Sequence, residues 1–426
     1  MSKFKRIAVD AVPVGTVLRA PIGDPNNSQV QLLTEGTEVT SEFLDKLRSR
    51  GIAEVVISTR DLALIHTFHS QARSKRVPPP HTYLQSIRFN DHTKAMDQRV
   101  HEGDTLEIGE AAEPMLARID RPVDCQYDKK LQSSWANQND ADVQQLGTFF
   151  QQTCDGETAD VKTLRQQCED ILERVRADFD ALVCLASTPF LSEYPSRHAV
   201  HLASMAMAIG VEMGLDHEQL IDLGIGCLIH DVGMQQIGLR QFDNKSTITR
   251  DGLRHLADHP IHALEIASKL GDEVSDASKL VAYQIHERLD GSGYPRGRTA
   301  GQIHALARIA AVADTFVALV TPRPHRLGVQ GYHAIQCVLN DVKEGRLDPR
   351  PVRGLLLATS MHPIGSYVEL SNDQLGRVIR TGGAHYDKPT IEMWSKEDPE
   401  AEPEIVNLQK DDSVKITRSV PSPRAA

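Results

Sequence analysis

Apolar positions along the chain follow three different rhythms. Up to about residue 68 they come as short runs, Ile7 to Val9, Thr16 to Ala20 and Val30 to Leu33, broken by Pro13, Gly15, Pro21, Gly23 and Gly36. That is the punctuation of strands and turns. Thr40-Ser41-Glu42-Phe43 then sets a capping hydroxyl ahead of Phe43, Leu44 and Leu47 at helical spacing. Gly51 stops that helix, and Ile52 to Ser58 reads as a further strand. Residues 69–145 contain Val77-Pro78-Pro79-Pro80, many Gln, Asn and Asp, and weak periodicity, which predicts a polar linker or connector with room for a short helix or a sheet insertion. From about 143 apolar residues recur at steps of three and four: Leu164, Cys168, Ile171, Leu172, Val175, Phe179, Leu182 and Val183. Helices are expected to about 360. Alternation over 363–370, and again from Gly376 to Arg380, predicts two strands, and the Glu-, Pro-, Ser- and Lys-rich stretch from 395 reads as disordered.

The expected fold class is therefore mainly α. A small α+β module spans 1–68, a connector 69–145, a helical domain 146–360, a β-rich extension 361–394 and a tail 395–426.

Composition adds limits. With 426 residues and 40% hydrophobic content the chain can build at least one proper core. A net charge of -11 argues against a nucleic-acid polymer as partner, because phosphate contact needs concentrated Lys and Arg. The six cysteines lack C-x-x-C spacing, as in a reduced protein. No apolar stretch resembles a signal peptide or a membrane span, so a cytoplasmic protein without membrane contact is expected.

The candidate chemistry centres on His286-Glu287-Arg288-Leu289-Asp290-Gly291-Ser292-Gly293-Tyr294-Pro295. Glycine and proline in that number exclude a continuous helix, and predict a helix ending near Glu287 in a glycine-hinged loop. Ahead of it lie Arg197-His198, His230-Asp231 and His259-Pro260, and behind it Asp314. Successive candidates stand 32, 29, 27 and 28 residues apart, which suits one ligand per helix in an antiparallel bundle. Imidazole mixed with carboxylate suits iron, manganese or zinc. Asp314 sits between Ile309-Ala310-Ala311-Val312-Ala313 and Phe316-Val317-Ala318-Leu319-Val320, so its carboxylate is expected to be buried against a cation or donors. His201, His217, His255, His262 and His304 have no such context and read as satisfied or solvated.

With these residues in order, residues 190–360 resemble the HD-GYP branch of the HD phosphohydrolases. His230-Asp231-Val232-Gly233 matches the HD signature, and His286 to Pro295 the HHExxDGxGYP signature. Ala307 to Leu319 matches the helix that carries the last acidic ligand, and Arg323-Pro324-His325-Arg326 the basic RPYR segment. Pro363 to Leu370 is similar to the strand that follows the domain in many members. The first 68 residues resemble a short module found ahead of some bacterial signalling phosphodiesterases. The resemblance implies an HD-type bundle and hydrolysis of cyclic di-GMP to pGpG or GMP by metal-activated hydroxide. It implies two divalent ions, iron or manganese, on His198, His230, Asp231, His259, His286 and Asp314, with His230 and Asp231 at the catalytic centre. Arg323 and Arg326 would bind the phosphates of a cyclic dinucleotide, and Gly293, Tyr294 and Pro295 would shape the pocket mouth. Other signalling proteins and a second copy of the chain are open as partners.

Three positions depart from the family pattern. Met234 stands where HD-x-G-K has its lysine, Ile285 replaces the first histidine of the pair, and Tyr194 occupies the place of a third-metal glutamate. Two readings follow: a working phosphodiesterase, or a receptor that binds cyclic di-GMP or a signalling partner without turnover.

Overall fold

A computed structural model of the chain describes residues 4–9, 12, 20–24, 31–34, 37, 39–50, 52–58, 87, 89–102, 108–109, 112–190, 193–237, 250–322, 328–394 and 402–420. Two compact units divide at Pro79/Pro80.

In the first unit, β1 (Phe4–Ala8), β2 (Ile22–Gly23), β3 (Gln31–Leu33) and β4 (Glu54–Ser58) form a sheet of order β1-β4-β2-β3, accompanied by helix α1 (Ser41–Ser49). Thr40 Oγ1 accepts the Phe43 N–H at 3.0 Å, the capping predicted from sequence. Leu44 and Leu47 of α1 then close a core with Val9, Ile22, Val39, Val55 and Ile57.

The second unit is a helical bundle with a C-terminal sheet. Its helices are α2 (Asp91–Glu102), α3 (Lys129–Asp155), α4 (Lys162–Ala177), α5 (Phe179–Ala186), α6 (Ser196–Glu212) and α7 (His217–Ile229). There follow α8 (Met234–Ile237), α9 (Arg250–Lys269), α10 (Asp276–Gln284), α11 (Ala305–Val320), α12 (Gly331–Lys343) and α13 (Pro349–Thr359). Helix α6 is the axle: every residue from His198 to Val211 is buried, and α3, α5, α7, α11 and α13 pack on it. Such a helix tolerates no polar face, which is why its sequence is dominated by Ala, Met, Val, Ile and Leu. Small residues set the approach distances. A Cβ on Gly210 would lie 2.7 Å from a Leu220 methyl, and one on Gly224 2.6 Å from Cys168 Sγ. Among the described residues no helix is long and apolar enough to cross a membrane.

Strands β5 (Tyr367–Leu370), β6 (Leu375–Arg380), β7 (Thr390–Trp394), β8 (Glu404–Asn407) and β9 (Ile416–Val420) form an antiparallel sheet of order β8-β7-β6-β5-β9. Its inward residues Val368, Val378, Ile391 and Val406 belong to the main core. Arg380, 1% exposed, reaches across to Asp178, the residue that caps α5, with Nη2 donating to Oδ2 at 2.9 Å.

This architecture fills in one expectation and corrects another. The stretch read as a connector contains α2 and the start of α3, whose first turn Asp128 caps through the Lys130 and Leu131 N–H groups. The stretch read as a disordered tail supplies both edge strands of the sheet, with Ser419 facing Val368 and Val406 facing Ile391. In both places the apolar residues are few, and long-range pairing decides the structure.

Candidate metal centre

Helix α7 ends at Ile229, and its last carbonyls lose their intrahelical partners. His230 uses one of them: its Nδ1 donates to Cys227 O at 2.7 Å. A carbonyl only accepts, so the proton resides on Nδ1 and the buried Nε2 is left with a lone pair. That lone pair lies 3.3 Å from Asp231 Oδ1. The turn that places Asp231 here needs Gly233, where a Cβ would come within 2.3 Å of His259 O and 2.9 Å of Ala263 N.

His259 repeats the device by a different route. Pro260, inside α9, has no N–H to give Leu256 O. His259 Nδ1 donates to that same carbonyl at 2.6 Å, and its Nε2 faces Asp231 Oδ1 at 3.3 Å. Two imidazole nitrogens thus converge on one carboxylate oxygen, an arrangement that calls for a cation among the three, a proton on His230 or a metal ion. Metal-ligating histidines are commonly held this way, through the ring nitrogen that does not bind.

Asp314 gathers the other two rings. Projecting from the apolar helix α11, it lies with Oδ1 3.1 Å from His198 Nε2 on α6 and Oδ2 3.4 Å from His286 Nδ1, just past α10. The rings of His198 and His230 are 5.5 Å apart between centroids, those of His230 and His286 5.8 Å, and those of His259 and His286 4.8 Å. Two overlapping groups offer ligand atoms within 4.8 Å of one another: His198, His230 and Asp314, and His230, Asp231 and His286.

The electrostatics follow from burial against charge. Burial penalises both carboxylates, yet His230 and its neighbours hold Asp231, and His198 and His286 hold Asp314, well below the ordinary carboxylate range. Burial also opposes a charge on His230, but Asp231 and Asp314 outweigh it and raise its proton affinity. Burial, and then the adjacent His286, push His259 down to about 3, so it is neutral and able to ligate. A field that draws a proton to one ring draws a metal ion equally well. The residues present fit a divalent cation.

Residues 169–350 match the family model described as HD domain. This segment of the chain is similar to HD domains. The chain's relatives include the "Cyclic di-GMP phosphodiesterase PA4108" of Pseudomonas aeruginosa, 25% identical over 58% of this chain and 59% of that protein. The "Cyclic di-GMP phosphodiesterase response regulator RpfG" of Xanthomonas campestris is 31% identical over 36% of this chain and 41% of that protein. The "3'3'-cGAMP-specific phosphodiesterase 3" of Vibrio cholerae is 27% identical over 40% of this chain and 37% of that protein. The chain thus spans about three fifths or less of the length of these curated relatives. Among solved structures it is similar to Bd1817, an HDG"Y"P protein from Bdellovibrio bacteriovorus, at TM-score 0.43 and 14% identity, over 83% of this chain and 98% of that one.

Beside the centre's histidines, Tyr294 stacks on His286 at 4.9 Å and 25°. The loop that presents it is tightly turned: Tyr294 N donates to His286 O at 3.1 Å, and a Cβ on Gly293 would fall 2.3 Å from Arg288 N. Glu287, next to His286, is committed elsewhere. Its two carboxylate oxygens accept the Arg296 and Arg298 N–H groups, each at 2.8 Å, and burial pushes its carboxyl up to about 7 despite those donors.

All six sequence-predicted ligands, with Gly293, Tyr294 and Pro295, come together at this end of the bundle; Arg323 and Arg326 lie outside the described residues. Ile285 is fully buried in the main core and Met234 is 2% exposed. Tyr194, one of the three positions that depart from the resembled pattern, donates its hydroxyl to Asp231 Oδ2 at 2.9 Å. The Tyr-Pro pair that precedes Arg197-His198 was the available signal for it. His201, read as satisfied or solvated, is buried, with its Nε2 3.3 Å from Asn139 Nδ2.

Proposed function

We propose that the chain is a metal-dependent phosphodiesterase that opens cyclic dinucleotides, cyclic di-GMP first among them, to pGpG or GMP in bacterial second-messenger signalling. One observation carries the reading: the Nε2 atoms of His230 and His259, both aimed at a single Asp231 oxygen. Support comes from the HD family match and from the names of the relatives. His198, His230, Asp231, His259, His286 and Asp314 hold two divalent ions, iron or manganese. When bound, such ions supply Lewis acidity toward a phosphoryl oxygen and activate water for attack.

The chain's own residues do the rest. Cys227 O and Leu256 O keep the protons of His230 and His259 on the side away from the centre. Tyr194 occupies the second oxygen of Asp231 with a hydrogen bond, leaving Oδ1 to face inward. Tyr294 shapes the mouth, with Gly293 and Pro295 fixing its presentation. Arg323 and Arg326 bind the phosphates as planar, permanently charged donors. The residues 1–68 act as an input module, and the protein works in the cytoplasm with other signalling proteins.

Metal analysis of anaerobically purified protein, paired with cyclic di-GMP turnover in added Mn²⁺ or Fe²⁺, tests this. The expected result is about two ions per chain, as in two-metal phosphoesterases, with linear product formed. His230→Ala with Asp231→Ala is expected to abolish both. Metal retained by that double variant refutes the ligand assignment; saturable nucleotide binding without product makes the chain a receptor.

A further inference from the structure

Behind the Gly-Ser-Gly-Tyr-Pro loop, on the side away from the histidines, lies a cluster that the proposed chemistry does not use. Asn90 Oδ1 caps α2 by accepting the Thr93 N–H at 2.9 Å. Thr93, Met96 and Val100 form its buried stripe. Asp97 follows Met96 on the same face, its side chain only 15% exposed. Its two oxygens take the guanidinium groups of Arg296 and Arg298 in close ion pairs, and Tyr283 Oη lies 3.3 Å from Oδ1. Arg296 also donates from Nε to Tyr283 Oη at 3.1 Å, and its guanidinium lies 3.1 Å from the centroid of the Phe89 ring.

The segment 296–298 is therefore gripped twice. Glu287 holds its main chain through the Arg296 and Arg298 N–H groups, and Asp97 holds its side chains. Both guanidinium groups share the Asp97 carboxylate, and Arg298 at 6% side-chain exposure has little water to fall back on. Tyr294 lies between this grip and His286, packed on the satellite core that Met96 and Val100 share with Ile261, Leu264 and Tyr283.

We propose that Asp97 is a positioning residue for the metal centre: α2 is a clasp that locks the 291–298 loop so that Tyr294 lies flat on His286. The clasp touches no ligand atom. Its effect is on how the loop meets substrate, and this part of the inference rests on the phosphodiesterase reading above.

The test compares full-length Asp97→Ala, Asp97→Glu and Phe89→Leu with the parent. Asp97→Ala is expected to keep its metal content and to raise KM for cyclic di-GMP about tenfold, the scale of lost supporting contacts around a metal site, with kcat nearly unchanged. Amide hydrogen exchange at Arg296 and Arg298 accelerates at least as much, without a rise across α6 and α11. Asp97→Glu recovers most of the KM. Phe89→Leu, which leaves every charge in place and loosens only Arg296, moves both readouts the same way by less, and stands in if Asp97→Ala does not fold. Unchanged exchange at 296–298 overturns the clasp, as does metal loss or exchange rising uniformly through the bundle. If the parent shows no turnover, the phosphodiesterase reading fails while the exchange comparison still judges the clasp.

Discussion

Replacing Pro260 by alanine puts back an N–H that can reach Leu256 O in the ordinary helical way. In the native chain that carbonyl is the acceptor that fixes the His259 ring, with Nδ1 at 2.6 Å. Two effects of opposite sign follow. An interior proline costs a helix about 3 kcal/mol relative to alanine, so the metal-free variant is expected to melt higher, with that figure as the ceiling. The ring, now competing for its acceptor, loses the bond that holds its Nε2 3.3 Å from Asp231 Oδ1. Weakening a supporting partner of this kind lowers metal affinity roughly 10- to 100-fold, and the lower end, about 1.4 kcal/mol, is expected because the carbonyl can still accept a second donor. Thermal melts of metal-free protein and Mn²⁺ competition titrations read the two effects separately. A variant that melts higher and binds Mn²⁺ as tightly as the parent refutes the reasoning, since the carbonyl then does not orient the ring.

Gly293→Ala places a Cβ 2.3 Å from Arg288 N and 2.5 Å from Glu287 Cα, both backbone atoms, so the loop must shift. Turnover is expected to fall at least tenfold with metal content intact, a loss of about 1.4 kcal/mol or more in transition-state stabilisation; full activity would show that the loop's close turn is dispensable. Asp180 offers a pH-dependent test far from the loop. Burial pushes its carboxyl up to about 7 against the pull of Arg121 and Arg380, with Asp178 adding to the rise, and its Oδ1 finds no donor. The folded state therefore favours the protonated acid, and the stability this proton contributes is full below the ordinary value near 4 and lost as pH climbs to about 7. Asp180→Asn is expected to melt higher than the parent at pH 8, with the gap closing toward pH 5 and bounded by roughly 4 kcal/mol; a gap of equal size at both pH values counts against the assignment.

The bundle and the residues gathered at its candidate centre were legible because each of them sits at a helix end or on an apolar stripe whose period the chain states openly. Asp314, flanked by five apolar residues on its N-terminal side, could satisfy its charge only by meeting His198 and His286. The tautomer-fixing carbonyls were half legible: His259-Pro260 carries the information, but only a helix running through the proline reveals which acceptor is freed. Asp97 was not legible at all. Its helix buries only Thr93, Met96 and Val100, too sparse a stripe to announce itself, and its partners lie about two hundred positions away. Strands β8 and β9 were missed for a related reason, since each becomes a strand by finding an edge to pair with.

The segment that kinship recognises, 169–350, is smaller than the body that folds. Phe150 on α3, fully buried, and Ile391 on β7 complete the core from outside that segment, and Arg380 on β6 neutralises Asp178 inside it. Cutting at the matched boundaries would strip one side of α6 and strand an acidic pair at the start of α5. A graft of this centre into another scaffold must therefore carry α3 and the C-terminal sheet along. What is inherited as chemistry and what must travel together as matter are, in this protein, two different lengths of chain.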